Sequence, residues 1–257
     1  MAKLLDQELL PASRQDEYVR THPLTRDRFE SLKGRVDGEK CQPLPQASEE
    51  EYQRIKAKLK GYLLPRQVVE APITNDIPAR YARAEALYRL DDMPGALKIV
   101  AGLEAQEPSN PYFYELEGQI LFDHGQIPQA VAAYQKAAVA LPDAPLIGES
   151  YAQALLANNQ TQDAIPVLTR AIENEPDNSG LHHALAIAYG RQGHESEAQL
   201  ELAEEALLNL DYKEARHHAK AAKFPNGSPG ALRAADIITV ANEQLDKNKD
   251  EDKPSRH

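Results

Sequence analysis

The sequence predicts an all-α fold, a right-handed superhelix of paired helices preceded by a short helical segment. Three observations carry that prediction. Ala, Leu, Glu, Gln and Arg dominate the middle of the 257-residue chain, and these are strong helix formers. Val, Ile and Thr do not gather into the alternating runs that a strand needs. Above all, four kinds of position recur every 34 residues: small residues at Ala84, Gly118, Ala152 and Ala186; turn residues at Asp91, Gly125, Asn159 and Gly193; alanines at 96, 130, 164 and 198; and Pro108, Pro142 and Pro176.

A 34-residue period with helical composition marks tetratricopeptide repeats, each a pair of helices stacked on its neighbours. The units read 77–110, 111–144, 145–178 and 179–212. The first helix of each runs through the early small residue and the second through the later alanine, where close crossing leaves no room for a large side chain. The turn residue needs a permissive backbone, hence Gly, Asn or Asp. Proline lacks an N–H and closes the second helix. The fourth unit departs from the pattern, with Leu210 where proline belongs. Its second helix is expected to run on through LELAEEALLNL and to serve two units, before a turn at LDY and the segment KEARHHAKAAK. A break at Pro225–Pro229 then precedes a helix that caps the open end of the stack.

The organisation that follows is a helical segment at 1–38, a linker and helix at 39–76, repeats at 77–223, a capping helix at 224–245 and a disordered tail at 246–257. Pro43 and Pro45 mark the linker. In SEEEYQRIKAKLKGYL, Ser48 and Glu51 have the spacing of a capping box, and Tyr52, Ile55, Leu59 and Leu63 share one helical face. The tail KNKDEDKPSRH is charged and poor in apolar residues.

Composition excludes several functions. A net charge of -11 with no basic stripe disfavours nucleic acid. No apolar run approaches the roughly 18 residues of a membrane span. MAKLLDQELLPAS lacks the basic start and unbroken apolar stretch of a signal peptide. Cys41 is the single cysteine, so neither an internal disulfide nor a cysteine metal cage can form. No nucleophile–base pair or phosphate loop is present. His182–His183 and His217–His218 are poor metal pairs, because adjacent helical residues point about 100° apart.

The first helix of each unit lines the concave wall of such a superhelix, and the repeat register projects a candidate groove there. Tyr81, Glu85, Tyr88 and Arg89 come from the first unit; Tyr112, Glu115, Gln119, Phe122 and Asp123 from the second. Glu149, Gln153 and Leu156 come from the third; His183, Ile187 and Arg191 from the fourth. Aromatic anchors mixed with hydrogen-bonding groups suit an extended polypeptide partner. The Lys/Asn/Arg set that grips a C-terminal carboxylate is missing.

One further pattern concerns the N-terminal stretch. QELLPASRQDEYVRTHPLTRDRF resembles the end of the peptidase domain in a family of bacterial periplasmic zinc metallopeptidases, the beta-barrel assembly-enhancing type. ARYARAEALYR, NPYFYELEGQILFDHGQ and GSPGALRAADI resemble the repeat region of the same family. The resemblance implies a zinc cofactor in the family, a peptidase domain or the outer-membrane assembly machinery as partner, a periplasmic location and a part in envelope protein quality control. This chain contains no H-E-x-x-H; its one His-Glu dipeptide, His194–Glu195, is followed by Ala198 where a second His would be needed. The sequence therefore reads as the family's C-terminal part without its catalytic core, whether a truncated gene product, a late start or a deliberately shortened chain. The expectation is a non-catalytic interaction module with no metal of its own. The alternative is the C-terminal half of an active zinc metalloendopeptidase whose catalytic domain lies upstream or in another chain. His22, in the family's Thr-His-Pro turn, is the one residue near that zinc chemistry; Thr25 and Asp27 beside it equally suit a plain helix start.

Overall fold

The computed structural model describes residues 30, 33–35, 45–72 and 74–251. The chain divides into two units, Met1–Tyr52 and Gln53–His257. The first unit's described residues are helical turns, including the start of helix α1 (Gln46–Leu63). His22, Thr25, Asp27, Cys41 and Pro43 lie outside the described residues.

The second unit is a stack of helices. After α1 and the short α2 (Pro65–Glu70) come four helix pairs: α3 (Ile77–Arg89) with α4 (Met93–Gln106), α5 (Pro111–Asp123) with α6 (Ile127–Ala140), α7 (Pro145–Ala157) with α8 (Thr161–Asn174), and α9 (Ser179–Arg191) with α10 (Glu195–Leu208). The pairs begin at 77, 111, 145 and 179, so the 34-residue step is kept in space. Helix α11 (Tyr212–Ala221) and α12 (Pro229–Glu251) close the array.

Local chemistry sets these boundaries. Asp76 Oδ1 accepts the Ala79 N–H at 2.8 Å, Asn110 Oδ1 accepts that of Tyr112 at 3.1 Å, and Asn178 Oδ1 those of Gly180 and Leu181. Proline stands in the first turn of α3 to α7, where its missing N–H has no helical partner to lose. Between paired helices the chain takes a positive φ at each turn: Asp91 65°, Gly125 73°, Asn159 59° and Gly193 76°. Pro108, Pro142 and Pro176 each stand just beyond the last residue of a second helix.

The alanine columns are the packing seams. Ala84, Ala96, Ala130, Ala152 and Ala164 are wholly buried. At Gly118 a Cβ would lie 2.8 Å from the Tyr134 ring, so even alanine is too large there. Phe113, Leu116 and Ile120 fill the seam between the first two pairs, and Leu155, Leu168 and Leu181 the seam between the third and fourth. Tyr81 meets Phe113 edge-on at 5.3 Å.

Four expectations shift. Helix α1 begins at Gln46, so Ser48 is its third residue and not its cap. Its buried face is Ala57 and Gly61, not the apolar stripe: Ile55, Leu59 and Leu63 are more than half exposed. A small-residue face lets α1 approach α3 until Gly61 abuts the Ala82 carbonyl and Glu85, which bulky residues would prevent. Helix α10 stops at Leu208, in register with its counterparts, because Leu210 takes a left-handed φ of 61° and Asp211 Oδ1 caps α11 through the Glu214 N–H. It does pack against both α9 and α11, as a helix shared by two units should. Last, α12 runs past Asp246 to Glu251, since the next helix breaker is Pro254.

Candidate functional site

The first helices α3, α5, α7 and α9 start at equivalent positions and lie side by side, with α5 touching α7 and α7 touching α9. Their shared face is the candidate groove. The fifteen projected residues are buried, engaged within the protein or open, and Gln153 and His183 are both engaged and open.

Tyr81, Glu85 and Leu156 are buried, each less than 8% exposed. They form the floor beneath the groove and do not present themselves to a partner. Tyr81 belongs to the seam with Phe113. Its phenol is held well above its ordinary range by burial first, then by the charges of Glu115 and Glu85. Burial likewise raises the Glu85 carboxyl, against a smaller opposing pull from Lys58. Among the described residues, the Tyr81 hydroxyl and Glu85 Oε2 have no hydrogen-bond partner.

A second group is engaged within the protein. The Tyr88 hydroxyl donates to Asp123 Oδ2 and ties the first pair to the second. Burial raises the Tyr88 phenol, and the Asp123 bond and charge add to it. Arg191 Nη1 donates to the Leu156 carbonyl at 2.7 Å and ties the fourth pair to the third. Gln153 Nε2 donates to Glu149 Oε1 at 3.2 Å within α7. His183 meets Glu205 Oε2 at 2.9 Å, and Phe122 is half-buried against Leu121 and Tyr134. At the N-terminal end, α1 supplies the partners: Lys58 Nζ lies 2.7 Å from Glu115 Oε2, and Arg89 stands 4.5 Å over the Tyr62 ring. So α1 covers the part of the groove built by α3. Sequence reasoning missed this wall, although the Ala57–Gly61 spacing is its one legible sign: small residues a turn apart mark close helix approach.

The third group is open. Tyr112 is 43% exposed and Ile187 37%; His183 and Gln153 are exposed and Gln119 half-exposed. These residues leave an accessible strip across α5, α7 and α9, with aromatic, aliphatic and amide groups in turn.

His182 and His183 turn to different partners, whereas the His217 and His218 rings meet edge-on at 5.4 Å. His182 is buried, its Nδ1 2.7 Å from Glu201 Oε2 and its Nε2 3.0 Å from the Pro176 carbonyl. Both partners are acceptors, an arrangement that favours the protonated ring against its burial. His218 Nδ1 contacts Gln199 Oε1 at 2.8 Å. Among the described residues, no group of three or more His, Cys, Asp or Glu is placed to hold a metal ion, and no helix is long and apolar enough to cross a membrane.

The repeated pairs, their positive-φ turns and their alanine seams define a tetratricopeptide-repeat protein. Two tetratricopeptide-repeat family models match it, over residues 81–145 and 155–224. More particularly, the chain is similar to the beta-barrel assembly-enhancing protease of Yersinia pestis, at 28% identity over 206 residues, covering 75% of this chain and 41% of that protein. It is 26% identical over 198 residues to the protein of the same name from Escherichia coli K12, covering 73% of this chain and 40% of that one. The chain thus spans about two-fifths of the length of the relatives it matches. Among solved structures, MamA residues 41 to the end from Desulfovibrio magneticus RS-1 superposes with a TM-score of 0.51 at 17% identity, covering 71% of this chain and all of that one. YrrB, described as a TPR protein with an unusual peptide-binding site, gives 0.50 at 17% identity over 72% of this chain and 98% of its own. At these identities the likeness is one of fold.

Proposed function

We propose that this protein is a docking module that holds an extended polypeptide along the open strip of α5, α7 and α9. The observation that carries the reading is the exposure of Tyr112, Gln119, Gln153 and Ile187 on successive first helices, over a floor closed by Leu156. A peptide laid along such a wall gains aromatic and aliphatic contact while side-chain amides satisfy its backbone. The relatives named as proteases suggest that the held polypeptide is an envelope protein presented to a peptidase, and that the work is done in the periplasm.

Pull-down of binding partners by the purified chain tests this. Tyr112→Ala combined with Ile187→Ala should cut partner recovery by tenfold or more while helicity stays unchanged. Recovery equal to wild type would rule out this strip. Phe122 is a poor probe, because its ring also packs the core.

A second reading has its own observation, the name of the relatives: the chain is the C-terminal part of a zinc metalloendopeptidase and acts only beside its catalytic domain. Zinc content and casein hydrolysis separate the two. Bound zinc with turnover by this chain would favour the enzyme; neither is expected of a docking module.

A further inference from the structure

A cavity of about 560 Å³ opens between α1, α2, α3 and α4. It is not part of the groove. Arg80 and Arg83 line it from α3, and at about 100° per residue they fall on the face opposite Tyr81, Glu85 and Tyr88. Lys56 and Lys60 line it from α1. Every charged residue of the lining is therefore a cation, in a chain whose net charge is -11.

Lys60, Arg80 and Arg83 differ from the ion pairs nearby. Arg54 and Lys58 are answered by Glu107 and Glu115. Arg80 Nη1 is held by an amide, Gln106 Oε1 at 2.6 Å, which leaves its charge uncompensated. Among the described residues no carboxylate forms an ion pair with Lys60, Arg80 or Arg83. The nearby Asp76 carboxylate is turned away to cap α3, and that bond to the Ala79 N–H is the main reason its carboxyl is held below the usual range. The rest of the lining is mostly apolar, Ala57, Val68, Ala82 and Ile99 among it, with Gln53, Thr74 and Asn75 as its uncharged polar members.

We infer that this cavity is a second docking site, for an extended acidic segment of a partner protein with apolar residues between its carboxylates. The cations meet the carboxylates, and the apolar lining takes the intervening side chains. The volume accommodates a few residues. Charge complementarity selects the occupant. Nucleic acid is disfavoured, since the whole chain repels a polyphosphate and, among the described residues, no aromatic side chain lines the cavity for bases to stack on.

Fluorescence anisotropy with the full chain tests it, using labelled Asp-Leu-Glu-Asp-Leu-Glu against Asn-Leu-Gln-Asn-Leu-Gln. The acidic peptide should bind at least tenfold tighter, and less so as salt is raised. Lys60→Glu with Arg83→Glu should weaken it tenfold or more at unchanged circular dichroism. If that pair disturbs folding, Arg83→Gln alone should still weaken binding about threefold. Tyr112→Ala, in the groove, should change nothing, so failure here is distinct from failure of the groove reading. Equal binding of the two peptides, indifference to the cation changes, or tighter binding of a 20-nucleotide single-stranded DNA or of phosphatidylglycerol vesicles would overturn the inference.

Discussion

Two side chains make the protein's stability depend on pH in the same sense. Glu104 on α4 faces Glu117 on α5, and its carboxyl is raised to about 7, by burial first, then by the Glu117 charge, with Lys136 opposing. Among the described residues no N–H or hydroxyl reaches Glu104 Oε1 or Glu117 Oε2, an arrangement that favours a proton held between the two carboxyls. A carboxyl raised on folding contributes stability that is whole below its unfolded value and is lost as pH climbs through about 7. For His182, burial is the largest single influence and lowers its pKa. The bonds to Glu201 and the Pro176 carbonyl, with the charges of Glu201 and Glu204, together outweigh it and raise the group overall. Its contribution is present below about 6.5, the ordinary histidine value, and falls away above that. Thermal melts should therefore show a falling Tm between pH 6 and 8.5. Glu104→Gln should flatten part of that slope and gain about 1 kcal/mol at pH 8.5, a figure already reduced for solvent screening at a half-buried site. A Tm in Glu104→Gln that still follows the wild-type slope would show that the carboxyl pair does not titrate in this range.

At the scale of the element, packing seams and turns decide the outcome. Ala130→Leu or Ala164→Leu forces a branched side chain into a fully buried crossing and should cost about 1–3 kcal/mol by overpacking. Denaturant unfolding measures this, and an unchanged midpoint would show that the crossings have slack. Leu210 offers the opposite case. It holds a φ of 61° while 68% exposed, so it carries left-handed strain with little packing in return. Leu210→Gly should stabilise by about 1 kcal/mol, or a Tm rise of about 2–4 °C for a chain of this size. The repeat rule names the need at Gly125 and Gly193; at Leu210 the LDY segment predicts a turn, but a leucine does not announce the left-handed φ that makes it.

At the scale of the whole molecule, each pair of helices touches chiefly its neighbours, so stability is close to a sum of local terms and the ends open first. Ile237 is fully buried where α12 covers α10 and α11 through Ala203, Ala215 and Ala219. Ile237→Asp should expose the C-terminal end to proteolysis while the first three pairs keep slow hydrogen exchange. Loss of protection across the entire stack would instead show one cooperative unit. The proposed polypeptide strip inherits this linear logic: its α5 and α7 parts lie within the first three pairs, and its α9 part borders the end that opens first.

The 34-residue period, the helix starts at 77, 111, 145 and 179, and the class of fold were all legible in the chain, because close helix crossings and left-handed turns demand particular residues at particular intervals. The groove was legible only as a face. Projection along a helix says which side a residue leaves from, but not whether another element stands there. Tertiary structure therefore decided that Tyr81, Glu85 and Leu156 are buried, that α1 packs closely against α3, and that four cations from two separate stretches line one cavity. Contacts between segments far apart in sequence leave no period to read, and they exist only once the chain has folded.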